Sequence, residues 1–309
     1  MGHPRLSSRG LAATTAAFTI WGLFPIYLYG LRAVPALQVI AHRVTWSCLF
    51  LLAWMGLRGE LGRLTAALER PALIGRLTLT ACLISCNWLV YVWSVTHNHV
   101  VDSSLGYYIN PLMNVVLGVF VLRERLNRAQ WLAVALAAIA VAYLTVLAGR
   151  APWIALALAI TFSLYGLLRK VTSVDALPGL ATETLLLMPL AAAYLGWCEL
   201  TGSGALTRAP VTVAALLIGS GLATAIPLFL FAYGARTLPY STVGLLQYIG
   251  PSLQLLCGVL LFHESFGAAR AAGFVLIWSA LLICVADGLA RARRAAPARL
   301  QRSSPLRSG

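Results

Sequence analysis

Between Gly10 and Ala290 the chain is a succession of apolar runs, each of about 20 residues and so long enough to cross roughly 30 Å of hydrocarbon as a helix. Ten are read, at about 10–31, 37–57, 73–95, 102–122, 130–148, 152–169, 179–198, 212–233, 241–262 and 269–290. Nothing else restricts the fold as much. A segment in hydrocarbon must satisfy its own backbone N–H and C=O groups, and a helix does so internally. Of the 309 residues 60% are hydrophobic and 10% charged, which is not the balance of a soluble domain. The expected class is an all-α polytopic membrane protein with ten transmembrane helices.

The runs fall into two halves. Ser103–Glu124 reads SSLGYYINPLMNVVLGVFVLRE and returns as GLLQYIGPSLQLLCGVLLFHE over Gly244–Glu264. A shift of 140 residues places Tyr108 on Tyr248, Pro111 on Pro251, Gly118 on Gly258 and Glu124 on Glu264. That period is too long for a solenoid, so each copy belongs to one half-protein. Residues 10–148 and 152–290 are the expected five-helix repeats, preceded by a cytoplasmic lead, 1–9, and followed by a basic tail, 291–309, expected to be disordered at the anionic lipid surface. Five is odd, so the repeats must insert with opposite orientation.

A net charge of +14 would point to nucleic acid in a soluble protein, but here its distribution among loops sets topology. Arg32, Arg150, Arg208 and Arg270 fall outside and Arg43 within a helix, leaving eighteen of 23 Lys and Arg on the cytoplasmic side if the N-terminus lies there. Both termini are placed in the cytoplasm, with membrane lipid but no nucleic acid as partner. The basic loop Arg58–Arg76 is expected to include an interfacial helix over Glu60–Leu68. The six cysteines all lie in apolar runs and suggest neither disulfides nor zinc. No metal and no cofactor is expected.

Polar residues inside the runs mark candidate sites. Asn87, Tyr91, Ser94 and Asn98 form one stripe of the third run, which should face the bundle interior, while Trp88 and Trp93 lie off it as packing or interfacial aromatics. Tyr107, Asn110, Asn114 and Gly118 share a face of the fourth, matched by Gln247, Gly250, Gln254 and Gly258 in the ninth. Pro111 and Pro251 should kink these helices and free the carbonyls of Tyr107 and Gln247. A central substrate path between the two helices is therefore expected, lined by Asn87, Tyr91, Tyr107, Asn110, Pro111, Asn114, Gln247, Tyr248, Pro251 and Gln254; packing alone would also account for the prolines.

His42 and Arg43 sit about a third of the way into the second run, and the 140-residue shift puts Glu183 opposite Arg43. A charge at that depth costs about 2.5–3.5 kcal/mol and needs a partner or water. The two are read as matching elements of opposite mouths, more than about 10 Å apart along the axis; snorkelling to the nearer interface is the structural alternative. Glu124 and Glu264 are read first as carboxylates stabilising the start of the next helix and, more sharply, as gates or proton carriers. His97, His99 and Asp102 form a polar cap, and Asp287 should pair with the arginines after it.

Long motifs then point to a family. Ala41-His42-Arg43-Val44-Thr45-Trp46-Ser47, Asn87-Trp88, Ser104 to Leu112, Tyr165 to Lys170, Glu183-Thr184 and Gln247 to Pro251 resemble the RarD-type members of the EamA branch of the drug/metabolite transporter superfamily. The resemblance runs from the first helix to the tenth. It implies two inverted five-helix halves in a bacterial inner membrane, alternating access, peripheral fifth and tenth helices, and an association with chloramphenicol susceptibility. The function expected is secondary transport, exporting a small metabolite or drug. ATP is not the energy source, since there is no G-x-x-x-x-G-K-[ST] loop and Lys170 is the sole lysine. His42, Glu183, Glu124 and Glu264 are the candidates for proton or ion coupling. A membrane enzyme is the alternative, but no H-E-x-x-H, G-x-S-x-G or paired intramembrane aspartates occur, so no catalytic residue is assigned. A channel is a further alternative.

Overall fold

The computed structural model describes residues 8–121, 123, 126–149, 151–172, 174–238 and 246–302. Glu124 lies outside the described residues. So do residues 1–7 of the lead, 303–309 of the tail and Gly244, where the second copy of the repeated stretch begins.

All regular structure among the described residues is helical. In chain order the helices are α1 (Ser8–Tyr29), α2 (Ala36–Leu57), α3 (Leu61–Leu68), α4 (Pro71–Thr96), α5 (Val100–Phe120), α6 (Arg128–Ala148), α7 (Trp153–Val171), α8 (Ala176–Leu200), α9 (Ala205–Arg208), α10 (Val211–Thr237), α11 (Ile249–Leu256), which runs into a π turn over Cys257–Leu261, and α12 (Ala268–Arg302). Among the described residues seven segments are long and apolar enough to cross a membrane: Ser8–Tyr29, Ala36–Leu57, Pro71–Thr96, Arg128–Ala148, Leu177–Leu200, Val211–Phe231 and Ala268–Asp287. The chain is a multi-pass membrane protein.

Large apolar side chains remain exposed while several polar ones are enclosed beside the apolar core. Leu200 and Leu57 are 90% and 86% exposed, whereas Asn87 and Glu183 are each 1% exposed and Arg43 5%. Exposed leucines suit a hydrocarbon surrounding, and polar side chains of a membrane helix face the bundle interior.

The main helix pairs are α5 with α7, α6 with α12, α1 with α10 and α11, α2 with α8 and α10, and α4 with α7. Short α3 buries Leu64 and Ala67, with Leu64 packed in a cluster with Leu51, Met55 and Leu180. Its equivalent under the 140-residue shift is α9, whose entry is held by Gln38: Ala205 N–H donates to Gln38 Oε1 at 3.1 Å, and Gln38 Nε2 donates to the Ser203 carbonyl at 2.9 Å.

Two expectations are corrected. Ala268–Arg302 is one helix, extending into the stretch expected to be disordered; Ala and Arg are good helix formers, and an existing helix end removes the nucleation cost. The described part of the ninth run, 246–262, is not one continuous helix. Gln247 and Tyr248 form a turn and α11 starts at Ile249, so Pro251 occupies the first helical turn, where a missing N–H breaks no intrahelical bond. Pro111 does lie inside α5.

Small residues set the closest approaches. A Cβ on Gly106 would lie 2.9 Å from the Ala155 carbonyl oxygen of α7, and one on Gly221 of α10 would lie 2.7 Å from the Ser47 nitrogen of α2. Neither backbone can yield without parting two helices. Gly221→Ala is expected to lower the thermal unfolding midpoint of the detergent-purified protein. Gly75→Ala in α4, where a Cβ meets nothing within 4 Å, should leave it unchanged or raise it by the equivalent of about 0.5–1 kcal/mol. Equal effects would refute the packing account.

Candidate functional site

The close α2–α10 contact at Gly221 has a direct chemical consequence. Thr224 lies one helical turn beyond Gly221, and Arg43 lies one turn before Trp46 and Ser47. Arg43 Nε consequently donates to Thr224 Oγ1 at 2.7 Å, and that hydroxyl donates to the Ser220 carbonyl at 2.9 Å. The guanidinium carbon sits 4.2 Å from the centroid of the Trp88 ring and 4.9 Å from that of Phe24. Tyr27, Tyr91 and Tyr107 complete its electrostatic surroundings. Tyr27 stacks on Phe24 at 5.4 Å and donates its hydroxyl to the Leu216 carbonyl. Tyr91 meets Tyr107 edge-on at 5.6 Å.

The pocket leaves polar atoms unmatched. Arg43 Nη1 and the Tyr91 hydroxyl are buried with no hydrogen-bond partner. Among the described residues the ion pairs are Glu60–Arg63, His99–Asp102 and Arg169–Glu183, so Arg43 has no carboxylate. Adjacent His42 is 2% exposed, and both its ring nitrogens also lack partners.

Glu183, the residue matching Arg43, is fully engaged. Its Oε1 accepts from Thr80 Oγ1 at 2.7 Å and lies 3.6 Å from Arg169 Nη1, while Oε2 accepts from the Tyr165 hydroxyl at 3.3 Å. Arg169 reaches it across Gly179, whose missing side chain leaves room. Neither embedded charge snorkels, and the two do not pair with each other.

The remaining candidates divide. Tyr91 and Tyr107 join Arg43. Asn87 does not, because its Nδ2 staples α4 to α7 by donating to the Leu158 carbonyl at 3.0 Å and Thr161 Oγ1 at 2.9 Å. Asn110 is 7% exposed with an unpartnered Oδ1, and its carbonyl accepts from Ser163 at 3.4 Å. Asn114, one turn on, is exposed, so the stripe does not stay enclosed. Gln254 points to α1, donating to the Trp21 carbonyl at 3.3 Å. The α5–α11 contact is made instead by Tyr108, which shares a 2.7 Å hydrogen bond with Ser252 and stacks on Tyr248 at 6.5 Å. The polar faces expected to meet between these helices therefore look to opposite sides. Phe24, Tyr27, Trp88 and Thr224 were not among the expected site residues. An arginine at depth demands aromatic or hydroxyl cover, but only the fold says which residues supply it.

A second polar region lies at the α4–α5 turn. Tyr29, Asn98, His99, Asp102, His263 and Glu264 border a cleft of about 540 Å³. Glu264 accepts from the backbone N–H groups of Val100 and of Val101, the latter at 2.8 Å. It thus caps α5, a helix of the other half, rather than the helix that follows it. His99 Nδ1 lies 3.2 Å from Asp102 Oδ2. Asp287 accepts from Asn127 Nδ2 at 2.8 Å, tying α12 to the start of α6. Among the described residues no three His, Cys, Asp or Glu gather as a metal site.

Comparison with known proteins agrees with this geometry. Residues 8–146 match the model of the EamA-like transporter family. Protein RarD of Streptomyces exfoliatus is 44% identical over 297 residues, covering 96% of this chain and 94% of that protein. An uncharacterized transporter of Vibrio cholerae is 43% identical over 293 residues, covering 95% and 97%. The chain belongs to the EamA-like transporter family. A solved structure described as "Crystal structure of protein" superposes with a TM-score of 0.56 at 21% identity, covering 91% of this chain and 98% of that one, a likeness of fold.

Two outcomes follow. Removing one partner of a buried ion pair costs about 3–5 kcal/mol, whereas replacing both by apolar groups is often tolerated. Glu183→Met should therefore lower the unfolding midpoint sharply, and Arg169→Met/Glu183→Met should recover most of the loss; additive losses would contradict the pairing. At Glu264, burial pushes the carboxyl above the usual carboxylate range, against the lowering effect of the two backbone N–H groups. A raised folded-state pKa contributes stability that is present below the unfolded value, about 4.3, and is lost as pH rises through the folded value. The unfolding midpoint of the wild type relative to Glu264→Gln should fall over that window, and a pH-independent difference would exclude the assignment.

Proposed function

We propose that the chain is a secondary transporter of a bacterial inner membrane, exporting small metabolites or drugs by alternating access. On this reading it crosses the membrane ten times, with residues 10–148 and 152–290 as inverted repeats and both termini in the cytoplasm. Besides the seven long apolar segments, α5, α7 and α11 with its π turn are spans; at about 1.5 Å per residue the 21 residues of α5 extend about 30 Å.

The observation that carries the reading is the packing pattern. The 140-residue shift converts α1 into α7, α2 into α8, α4 into α10, α5 into α11 and α6 into α12. Under that exchange α5–α7 becomes α11–α1, α4–α7 becomes α10–α1 and α4–α8 becomes α10–α2, while α2–α8 and α6–α12 map onto themselves, and every one of these pairs is in contact. Two halves that exchange neighbours in this way have the architecture from which alternating access arises. Arg43 lies seven residues into α2 and Glu183 seven into α8, so opposite insertion of the halves puts them at equal depths from opposite faces.

Proteoliposomes holding the full chain should accumulate labelled substrate with saturable kinetics and counterflow. Chloramphenicol and a small-metabolite panel are the compounds to test, with and without a pH gradient. Asn110→Leu should insert normally yet slow flux severalfold. Flux no greater than that of empty vesicles for the whole panel would reject the proposal, and large non-saturating currents would replace the carrier by a channel.

A further inference from the structure

We propose that Arg43 binds a carboxylate or phosphate group of a soluble small molecule, and hence that the substrate of this transporter is an anion. The inference rests on the transporter reading for the ligand's fate, though not for its binding. A guanidinium has five N–H donors and keeps its charge under all ordinary conditions. At Arg43 the structure accounts for Nε, through Thr224, and for the covering rings of Phe24 and Trp88. Such rings are worth about 2 kcal/mol or more each when desolvated, against the several kcal/mol that desolvating an ion costs, and they supply no counter-charge. Nη1 is buried and unmatched.

The partner that symmetry would offer is already spent, since Glu183 has both oxygens occupied by Thr80, Tyr165 and Arg169. The pocket therefore holds a surplus positive charge and, beside it, a buried phenol with a free hydrogen, Tyr91. Guanidinium and phenol together suit one oxyanion: a charge-assisted bond to Nη1 and a second, neutral donor to the same group. The aromatic walls suit an apolar or aromatic body on the ligand.

The test is binding to the full-length protein in phosphatidylcholine nanodiscs, followed by tryptophan fluorescence and thermal unfolding, with acetate, benzoate and inorganic phosphate as probes and benzamide as the neutral match for benzoate. Benzoate is expected to bind about tenfold to a hundredfold more tightly than benzamide, the range of one hydrogen bond to a charged group. Arg43→Gln should abolish that preference and Arg43→Lys should keep part of it. Tyr91→Phe, which preserves the charge, should weaken benzoate severalfold and leave benzamide unchanged. Equal binding of acid and amide by the wild type would overturn the proposal without recourse to a variant. So would a folded Arg43→Gln protein that keeps the preference, or no response to any of the three anions at millimolar concentration. Adding phosphatidylglycerol separates the sources of the anion: if it eliminates benzoate binding to the wild type, the site belongs to a lipid headgroup and the soluble-substrate proposal fails. Anion preference without flux would refute the transporter reading alone, and flux of neutral compounds without anion preference would refute this inference alone.

Discussion

A charge enclosed among apolar helices has to be met by something other than water, and the central packing of this protein is arranged around two such charges. Arg43 and Glu183 occupy the same register in α2 and α8, each seven residues from its helix start. At Glu183 the cost is offset locally, by a threonine from α4 and by a tyrosine and an arginine from α7. At Arg43 the surroundings offer aromatic faces and one hydroxyl but no negative charge. The helix pairs correspond between the halves; the chemistry at the two equivalent positions does not. Positions equivalent under the 140-residue shift therefore hold one closed site and one chemically incomplete site.

The all-helical, multi-pass character was legible in the sequence because its signals are local. An apolar run announces a helix irrespective of its neighbours, and a repeat at 140 residues needs only alignment of the chain with itself. The interfacial helix over Leu61–Leu68 is in the same category, as is the recognition that His42, Arg43 and Glu183 are embedded. What could not be read is which distant residue completes each polar group. Trp88 was placed with the packing aromatics because it lies off the Asn87–Tyr91 stripe, yet the α2–α4 contact brings it over a guanidinium 45 positions earlier. Thr224, 181 residues from Arg43, carries no signal of its own.

The repeated stretch misled for a related reason. Tyr107, Asn110, Gln247 and Gln254 fall on equivalent faces, and equivalence under a two-fold axis was taken to mean that those faces meet. Symmetry only requires that they point in related directions. Here Tyr107 looks toward α4 and Gln254 toward α1, while Tyr108 and Ser252 make the contact. Pro251 shows the limit of residue-by-residue equivalence. Helix boundaries set what a proline does, and α11 begins two residues before it.

The α5–α11 contact is held at two separate levels. Glu264, just beyond the π turn, caps the first N–H groups of α5, and Tyr108 grips Ser252 two turns further along. Connections at both the end and the middle oppose sliding as well as splaying, so α5 and α11 form one unit across the two halves. The Arg43 pocket is built differently. Its walls come from α1, α2, α4, α5 and α10, and the polar links across them are the bonds from Arg43 to Thr224 and from Tyr27 to the Leu216 carbonyl. Aromatic contacts surrounding two side-chain hydrogen bonds can be separated at less cost than a capped helix end, because none leaves a backbone N–H without a partner.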